Sequence, residues 1–168
     1  MLSDSALLGL PAPAKLNLFL HVVGRRPDGK HLLESVFTLI DLHDTIDLFR
    51  LEEPVVERTG DVIGNVEKDL CVRAARLLME TFDVRSGVRI HVEKRIPAGA
   101  GMGGGSSDAA TVLIGLNRLF GLGLSRSALM ELGERLGADV PFFIFGRTGF
   151  VEGIGEIITP LEIPPASY

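Results

Sequence analysis

Near its start the chain alternates apolar and polar positions with a period of two. In "PAKLNLFLHVV" the residues Ala14, Leu16, Leu18, Leu20 and Val22 alternate with Lys15, Asn17, Phe19 and His21. That period predicts a half-buried strand with Lys15 and Asn17 on one face. "GRRPDGKH" has the composition of a turn, and "ESVFTLIDLHDTIDLFRL" predicts further strand with a polar break at His43 and Asp44. The period changes at Asp69, a residue suited to an N-cap. Beyond it Leu70, Ala74, Leu77 and Leu78 form one helical stripe that reaches Phe82. "GVRIHVEKRIP" returns to period two, with Val88, Ile90 and Val92 on the apolar side.

A second helix is expected after "PAGAGMGGGSS", with Ala109, Leu113, Leu116 and Phe120 on one face, Ser106 or Ser107 capping it, and Asp108 in its first turn. A third runs from about Ser125 to Leu136, with Leu129, Leu132 and Leu136 inward and Gly137 as its stop. "VPFFIFG" and "GFVEGIGEIITPL" read as strand. Strands first, with helices interleaved later, predict an α+β fold in which a mixed sheet packs against helices.

Composition narrows the class. At 168 residues, 46% hydrophobic and 23% charged, one domain can bury roughly 70% of the surface its unfolded chain exposes. The single cysteine, Cys71, has no intramolecular disulfide partner, and no leader or membrane-length apolar run is visible, so a cytoplasmic setting is expected. A net charge of -5 argues against nucleic acid as a partner, apart from a local basic patch around Lys15, Arg25, Arg26 and Lys30. The closing "LEIPPASY" is apolar and broken by proline, which suggests a chain that continues.

The chemistry concentrates in "PAGAGMGGGSSDAA", where five glycines fall between Gly99 and Gly105. So bare a backbone between a strand and a helix lets several N–H groups converge while the helix N-terminus adds about half a positive charge, which suits phosphate. A flexible loop is the plainer alternative. A Walker A loop would need a lysine before Ser106. A dinucleotide fingerprint on Gly99, Gly101 and Gly104 would need an acidic residue about 20 positions on, where the chain reads "LFGLGLS". Neither fits, and the HRD and DFG sequences of protein kinases are absent.

Phosphoryl transfer needs a cation near the transferred group and a carboxylate for the acceptor hydroxyl. Lys15, in an otherwise apolar strand, and Asp139, in "LGADVPFF", are the candidates; a snorkelling edge lysine and a turn aspartate are their structural alternatives.

The stretches "PAPAKLNLFLHVVGRRPDGKH", "PAGAGMGGGSSDAA" and "LGADVPFF", followed by "GFVEGIGE", occur in an order and spacing that resembles the GHMP kinase superfamily. More closely, they resemble its branch acting on 4-diphosphocytidyl-2-C-methyl-D-erythritol. The resemblance covers residues 11 to 162. It implies a ribosomal protein S5 domain 2-like N-terminal domain, ATP and Mg²⁺ as cofactors, and phosphorylation of a small molecule in isoprenoid precursor synthesis, with no nucleic acid or membrane as partner. Lys15 and Asp139 match the branch's catalytic pair. Pro97, Ala98, Gly99, Ala100, Gly101, Met102, Gly103, Gly104, Gly105, Ser106 and Ser107 match its ATP-binding loop. Asn17, Lys30 and His31 would lie near the substrate, and Ser106 or Ser107 near Mg²⁺. Where the branch reads DGYH this chain has Asp28-Gly29-Lys30-His31, so a cation replaces the ring expected to stack on cytosine.

Members of the branch carry a further domain of similar size. Residues 1–168 are therefore expected to be the N-terminal domain alone, with an exposed edge prone to self-association. Another GHMP kinase, or a nucleotide-binding domain without activity, are the competing expectations.

Overall fold

A computed structural model describes residues 5–162. The closing "LEIPPASY" falls largely outside them. Two long strands dominate, β1 (Ala6–Arg25) and β2 (His31–Leu51), joined by the Arg26–Lys30 turn and paired antiparallel from Ala6↔Phe49 to Arg25↔His31. Asp28 closes that turn by accepting the Lys30 N–H at 3.0 Å, and Gly29 supplies the left-handed backbone it requires at φ 88°. β3 (Val56–Gly60) leads through a single 3-10 turn into α1 (Leu70–Thr81), which crosses over to β4 (Gly87–Glu93), parallel to β3. The glycine loop, α2 (Gly104–Leu119), α3 (Arg126–Leu136), α4 (Val140–Phe145), β5 (Gly149–Gly153) and β6 (Ile157–Pro160) complete the order. The sheet is mixed, as expected, with β3-β4-β2-β5-β6 side by side and β1 also paired to β2.

Strand β4 shows why the sheet has one covered face. Val88, Ile90 and Val92 are fully buried while Arg89 and Glu93 face out, so period two has become an inside and an outside. The helices lie on the inside. α1 presents Cys71, Ala74, Ala75 and Leu78, α2 presents Ala109, Leu113 and Leu116, and both meet Ile46 and Leu48 of β2 in one core. The helix boundaries at Asp69 and Ser125 are those expected: Asp69 Oδ1 accepts the Cys71 N–H at 2.8 Å and Ser125 Oγ the Ala128 N–H at 3.1 Å. On α1, however, Leu70 and Leu77 are only partly buried, and Leu136 of α3 likewise.

Three expectations are corrected. "VPFFIFG" forms helix α4, not a strand. Its residues are apolar on every side and so carry no period; Pro141 in the first turn and Gly146 in the left-handed C-cap at φ 76° favour the helix. Neither Ser106 nor Ser107 caps α2. Gly103 is its N-cap, in left-handed conformation at φ 70°, and both serines lie inside the helix. Finally, β1 is not half-buried along its length: Ala12, Ala14 and Lys15 (3% exposed) are buried around the register shift, whereas from Leu16 to Val23 both faces, Leu16, Leu18, Leu20 and Val22 included, are exposed.

Strand β2 has a gap that positions the site. On the side away from β1 it pairs with β5 through residues 33–37 and with β4 through residues 45–51, leaving 38–44 without a neighbouring strand. Lys15 is paired across from Leu39, within that gap.

Candidate active site

Lys15 is held by every element around it. Its backbone N–H leaves the β ladder and donates to the Met102 carbonyl in the glycine loop at 3.0 Å, at a register shift between Pro13 and Lys15. Its ammonium donates to Asn17 Oδ1 at 2.6 Å, lies 4.0 Å above the centre of the Phe37 ring, and sits 3.8 Å from Asp139 Oδ2. Phe37 stacks edge-on with Phe142, at 5.2 Å between centres, which joins the floor of the site to α4. Burial lowers the Lys15 pKa below that of an ordinary lysine, and the Asp139 charge partly restores it.

Asp139 occupies the N-cap position of α4 but makes no capping hydrogen bond, so its carboxylate stays available, 36% exposed beside Lys15. Glycine sets its place: a Cβ on Gly133 of α3 would stand 2.8 Å from Val140 Cγ1, so only glycine lets α3 approach the residue after Asp139 this closely.

The glycine loop curls through left-handed Gly99, Gly101 and Gly103, at φ 71°, 73° and 70°. With Lys68, Asp69, Lys94 and Asp108 it lines a pocket of about 280 Å³, which takes in the segment from Pro97 to Gly105. The start of α2 leaves the amides of Gly104, Gly105 and Ser106 without helical partners, and Ser107 N–H makes the first helical bond, to Gly103 at 2.8 Å. The pocket therefore has, at its wall, amides from the start of α2 that lack helical partners together with Lys68 and Lys94, surroundings whose chemistry suits an anion. At Gly103 a Cβ would stand 2.8 Å from the Phe143 ring and 3.3 Å from Lys15 Cε, so the loop and the Lys15 side chain are close neighbours.

Of the residues named from sequence, the fold brings together Lys15, Asn17, Asp139 and the loop. It does not bring Lys30 and His31 to them. Those two are exposed at the hairpin end, and His31 is eight positions along β2 from Leu39, up to roughly 26 Å on a straight strand. Ser107 is fully buried with its hydroxyl unpartnered, and it borders a separate apolar pocket with Leu10, Pro13 and Phe143. Ser106 is half-buried.

Sequence reasoning missed a buried polar cluster beside the loop. Asp44, fully buried in the β2 gap, accepts from Arg95 N–H at 2.6 Å and Ile96 N–H at 2.9 Å through Oδ1, and from Lys94 Nζ at 2.7 Å through Oδ2. Lys94 also donates to Asp108 Oδ2 at 2.9 Å, leaving Asp108 Oδ1 buried without a partner. Two carboxyl groups share one ammonium, and the proton this favours sits on Asp108. Burial first, and then its hydrogen bond with Asp44, push the Asp108 pKa up to about 8. For Asp44 burial works upward, but hydrogen bonds from Asp108, Ile96, Lys94 and Arg95 outweigh it and hold the carboxyl below its usual range. Only the polar break at Asp44 hinted at this cluster.

Residues 69–147 match the family described as GHMP kinases N terminal domain, and the chain belongs to the GHMP kinases. The relatives are more particular. A 4-diphosphocytidyl-2-C-methyl-D-erythritol kinase of Ralstonia pickettii (strain 12J) is 58% identical over 94% of this chain and 55% of its own length. One of Polynucleobacter necessarius subsp. necessarius (strain STIR1) is 61% identical over 96% and 55%. A crystal structure of 4-(cytidine 5'-diphospho)-2C-methyl-D-erythritol kinase superposes with a TM-score of 0.77 at 42% identity, covering 95% of this chain and 56% of that one. This chain thus spans about half the length of the curated relatives it matches.

Proposed function

We propose that this chain is the nucleotide- and substrate-binding part of a kinase that transfers the γ-phosphate of ATP to the 2-hydroxyl of 4-diphosphocytidyl-2-C-methyl-D-erythritol. The observation that carries this reading is the Lys15–Asp139 pair, 3.8 Å apart, on a lysine whose own N–H is bonded to the loop at Met102. Phosphate placed on the loop amides would have the pair beside its terminal group.

Each part then has a chemical task. The amides of Gly104, Gly105 and Ser106 hold phosphate oxygens in a dipole field that favours negative charge. Asp139 accepts the proton of the attacking hydroxyl, and its exposed face leaves room for the acceptor. Lys15, desolvated on Phe37 and steadied by Asn17, holds the carboxylate in place and offsets the charge that develops on the transferred group.

No three His, Cys, Asp or Glu side chains converge as a metal cage among the described residues. A Mg²⁺ would instead arrive on ATP and would offset phosphate charge there, with the half-buried Ser106 as the residue that would help hold it. Asn17 would face the reacting end of the substrate. Lys30 and His31, at the hairpin end, would meet the cytidine end, with the Lys30 ammonium in place of a stacking ring.

The relatives' extra length supports a second domain that closes the site, and the exposed run Leu16, Leu18, Phe19, Leu20, Val22 and Val23 supports association of this chain with itself in its absence. No helix among the described residues is long and apolar enough to cross a membrane. The single buried Cys71 supports a reducing, cytoplasmic setting. The test is a coupled ADP assay on the chain extended to the length of its relatives, offering the cytidylated erythritol, homoserine, mevalonate and galactose. Turnover with the first supports the reading, and preference for another acceptor overturns it.

A further inference from the structure

The phosphate loop is expensive to order. Left-handed glycines at 99, 101 and 103 give it backbone freedom to lose, and unless something else orders it, nucleotide affinity bears that cost. The cluster of Asp44, Lys94 and Asp108 lies where it can take the cost over. Asp44 ties the residues just before the loop, through Arg95 and Ile96. Lys94 spans from Asp44 to Asp108, which stands in the second turn of α2 just after the loop. One ammonium, 16% exposed and bonded to both carboxyl groups, therefore joins the start of the loop to its end.

We propose that Asp44, Lys94 and Asp108 form a staple that closes the two ends of the phosphate loop on each other, so that the loop is ordered before nucleotide arrives. Asp44 and Asp108 are then positioning residues. Asp44 is fully buried and does not border the pocket, so its influence on nucleotide passes through the loop backbone. Lys94 holds its place because two acceptors fix it, and Asp108 keeps the first turns of α2, with their free amides, aimed into the pocket. The proposal rests on the loop's assignment to phosphate only for its effect on affinity; the staple itself concerns the loop with nothing bound.

The experiment compares the wild-type chain with Asp108→Leu and Asp108→Asn, reading ADP affinity by calorimetry and amide hydrogen exchange without nucleotide. Leucine has no acceptor for Lys94, whereas the asparagine carbonyl keeps one. Asp108→Leu should weaken ADP by about ten- to a hundredfold, the range for losing a charge-assisted hydrogen bond. The amides of Ser107, bonded to Gly103, and of Lys15, bonded to Met102, should exchange faster while those of α1 and β4 keep their rates. Asp108→Asn should restore affinity to within about threefold, as expected if the acceptor and not its charge is what counts.

ADP affinity of Asp108→Leu within about twofold of wild type would overturn the staple. Equal losses in the leucine and asparagine variants would also overturn it, as would exchange that accelerates equally across the whole chain. Should Asp108→Leu fail to fold, Lys94→Met carries the exchange measurement, with the same local acceleration expected and unchanged loop exchange overturning the idea. If the wild-type chain binds no ADP, the proposed function falls, and hydrogen exchange alone then judges the staple.

Discussion

The ammonium of Lys15 lies 3.8 Å from the carboxylate of Asp139, across 124 residues of chain, and the Lys15 N–H is bonded to the glycine loop at Met102. At that distance neither group acts alone. Replacing Asp139 by Asn in the extended protein should lower turnover by roughly 10²- to 10⁴-fold, the range for loss of a general base, with ADP affinity little changed. Lys15→Ala should lose a similar amount, and the double variant should lose much less than the product of the two. Additive losses would show that the pair does not act as a unit.

The alkaline side of the pH–rate profile should reflect Lys15. Burial lowers its pKa, so its ammonium, and the activity that needs it, should fade at lower pH than for an ordinary lysine at 10.5. Phe37→Leu, which removes the ring beneath the ammonium, should move that limb. A limb in the same place for both proteins would mean that another group sets it.

Asp108 predicts a pH dependence of stability whose sign can be worked out. Below the ordinary carboxyl value of 3.8 the group is protonated both folded and unfolded, and nothing changes. Between that value and about 8 the folded chain keeps the proton while the unfolded chain releases it, so stability falls as pH rises through this window. Asp108→Asn has no proton to lose. Its melting temperature relative to wild type should therefore climb by several degrees between pH 4 and pH 8, as scanning calorimetry would show. A constant difference across the window would mean Asp108 is ionised in the fold.

The loop glycines should differ in how they fail. A Cβ at Gly103 meets the Phe143 ring at 2.8 Å, whereas at Gly99 and Gly101 nothing lies within 4 Å and only the left-handed backbone resists a side chain. Gly103→Val should abolish ADP binding and disturb Lys15. Gly99→Ala and Gly101→Ala should each cost about 1–2 kcal/mol, the cost of left-handed backbone for a residue with a Cβ, and weaken ADP in proportion. Calorimetric titration of the three variants separates these outcomes, and equal effects at all three positions would contradict the geometry.

The exposed apolar run on β1 and the relatives' extra length make one more comparison decisive. The 168-residue chain should scatter light as an oligomer and phosphorylate poorly, while the extended chain should be active and better behaved. A monomeric short chain with the full rate of the long one would contradict the second-domain proposal.

Much of this protein is written locally. The period-two runs of β2 and β4, the caps at Asp69 and Ser125, and the Pro27-Asp28-Gly29 turn are all decided by neighbours a few residues away, and the structure follows them. The glycine loop that opens α2 is legible for the same reason, since glycine density before a helix is itself a local signal.

Other features were settled only by folding. A continuous apolar run such as Val140–Phe145 carries no period, so its helix was decided by packing against Gly133 and Phe37. How much of β1 is covered likewise depended on where the helices end, and beyond Lys15 both of its faces are left exposed. Capping fell to Gly103 because the loop backbone, not a serine hydroxyl, turns the chain into α2. The cluster at Asp44, Lys94 and Asp108 joins positions up to 64 residues apart, and the Lys15–Asp139 pair joins positions almost twice as far apart. No local pattern encodes such distances. They arise where β2 leaves a gap between β5 and β4, beside which Asp44, Lys94 and Asp108 from three parts of the chain meet.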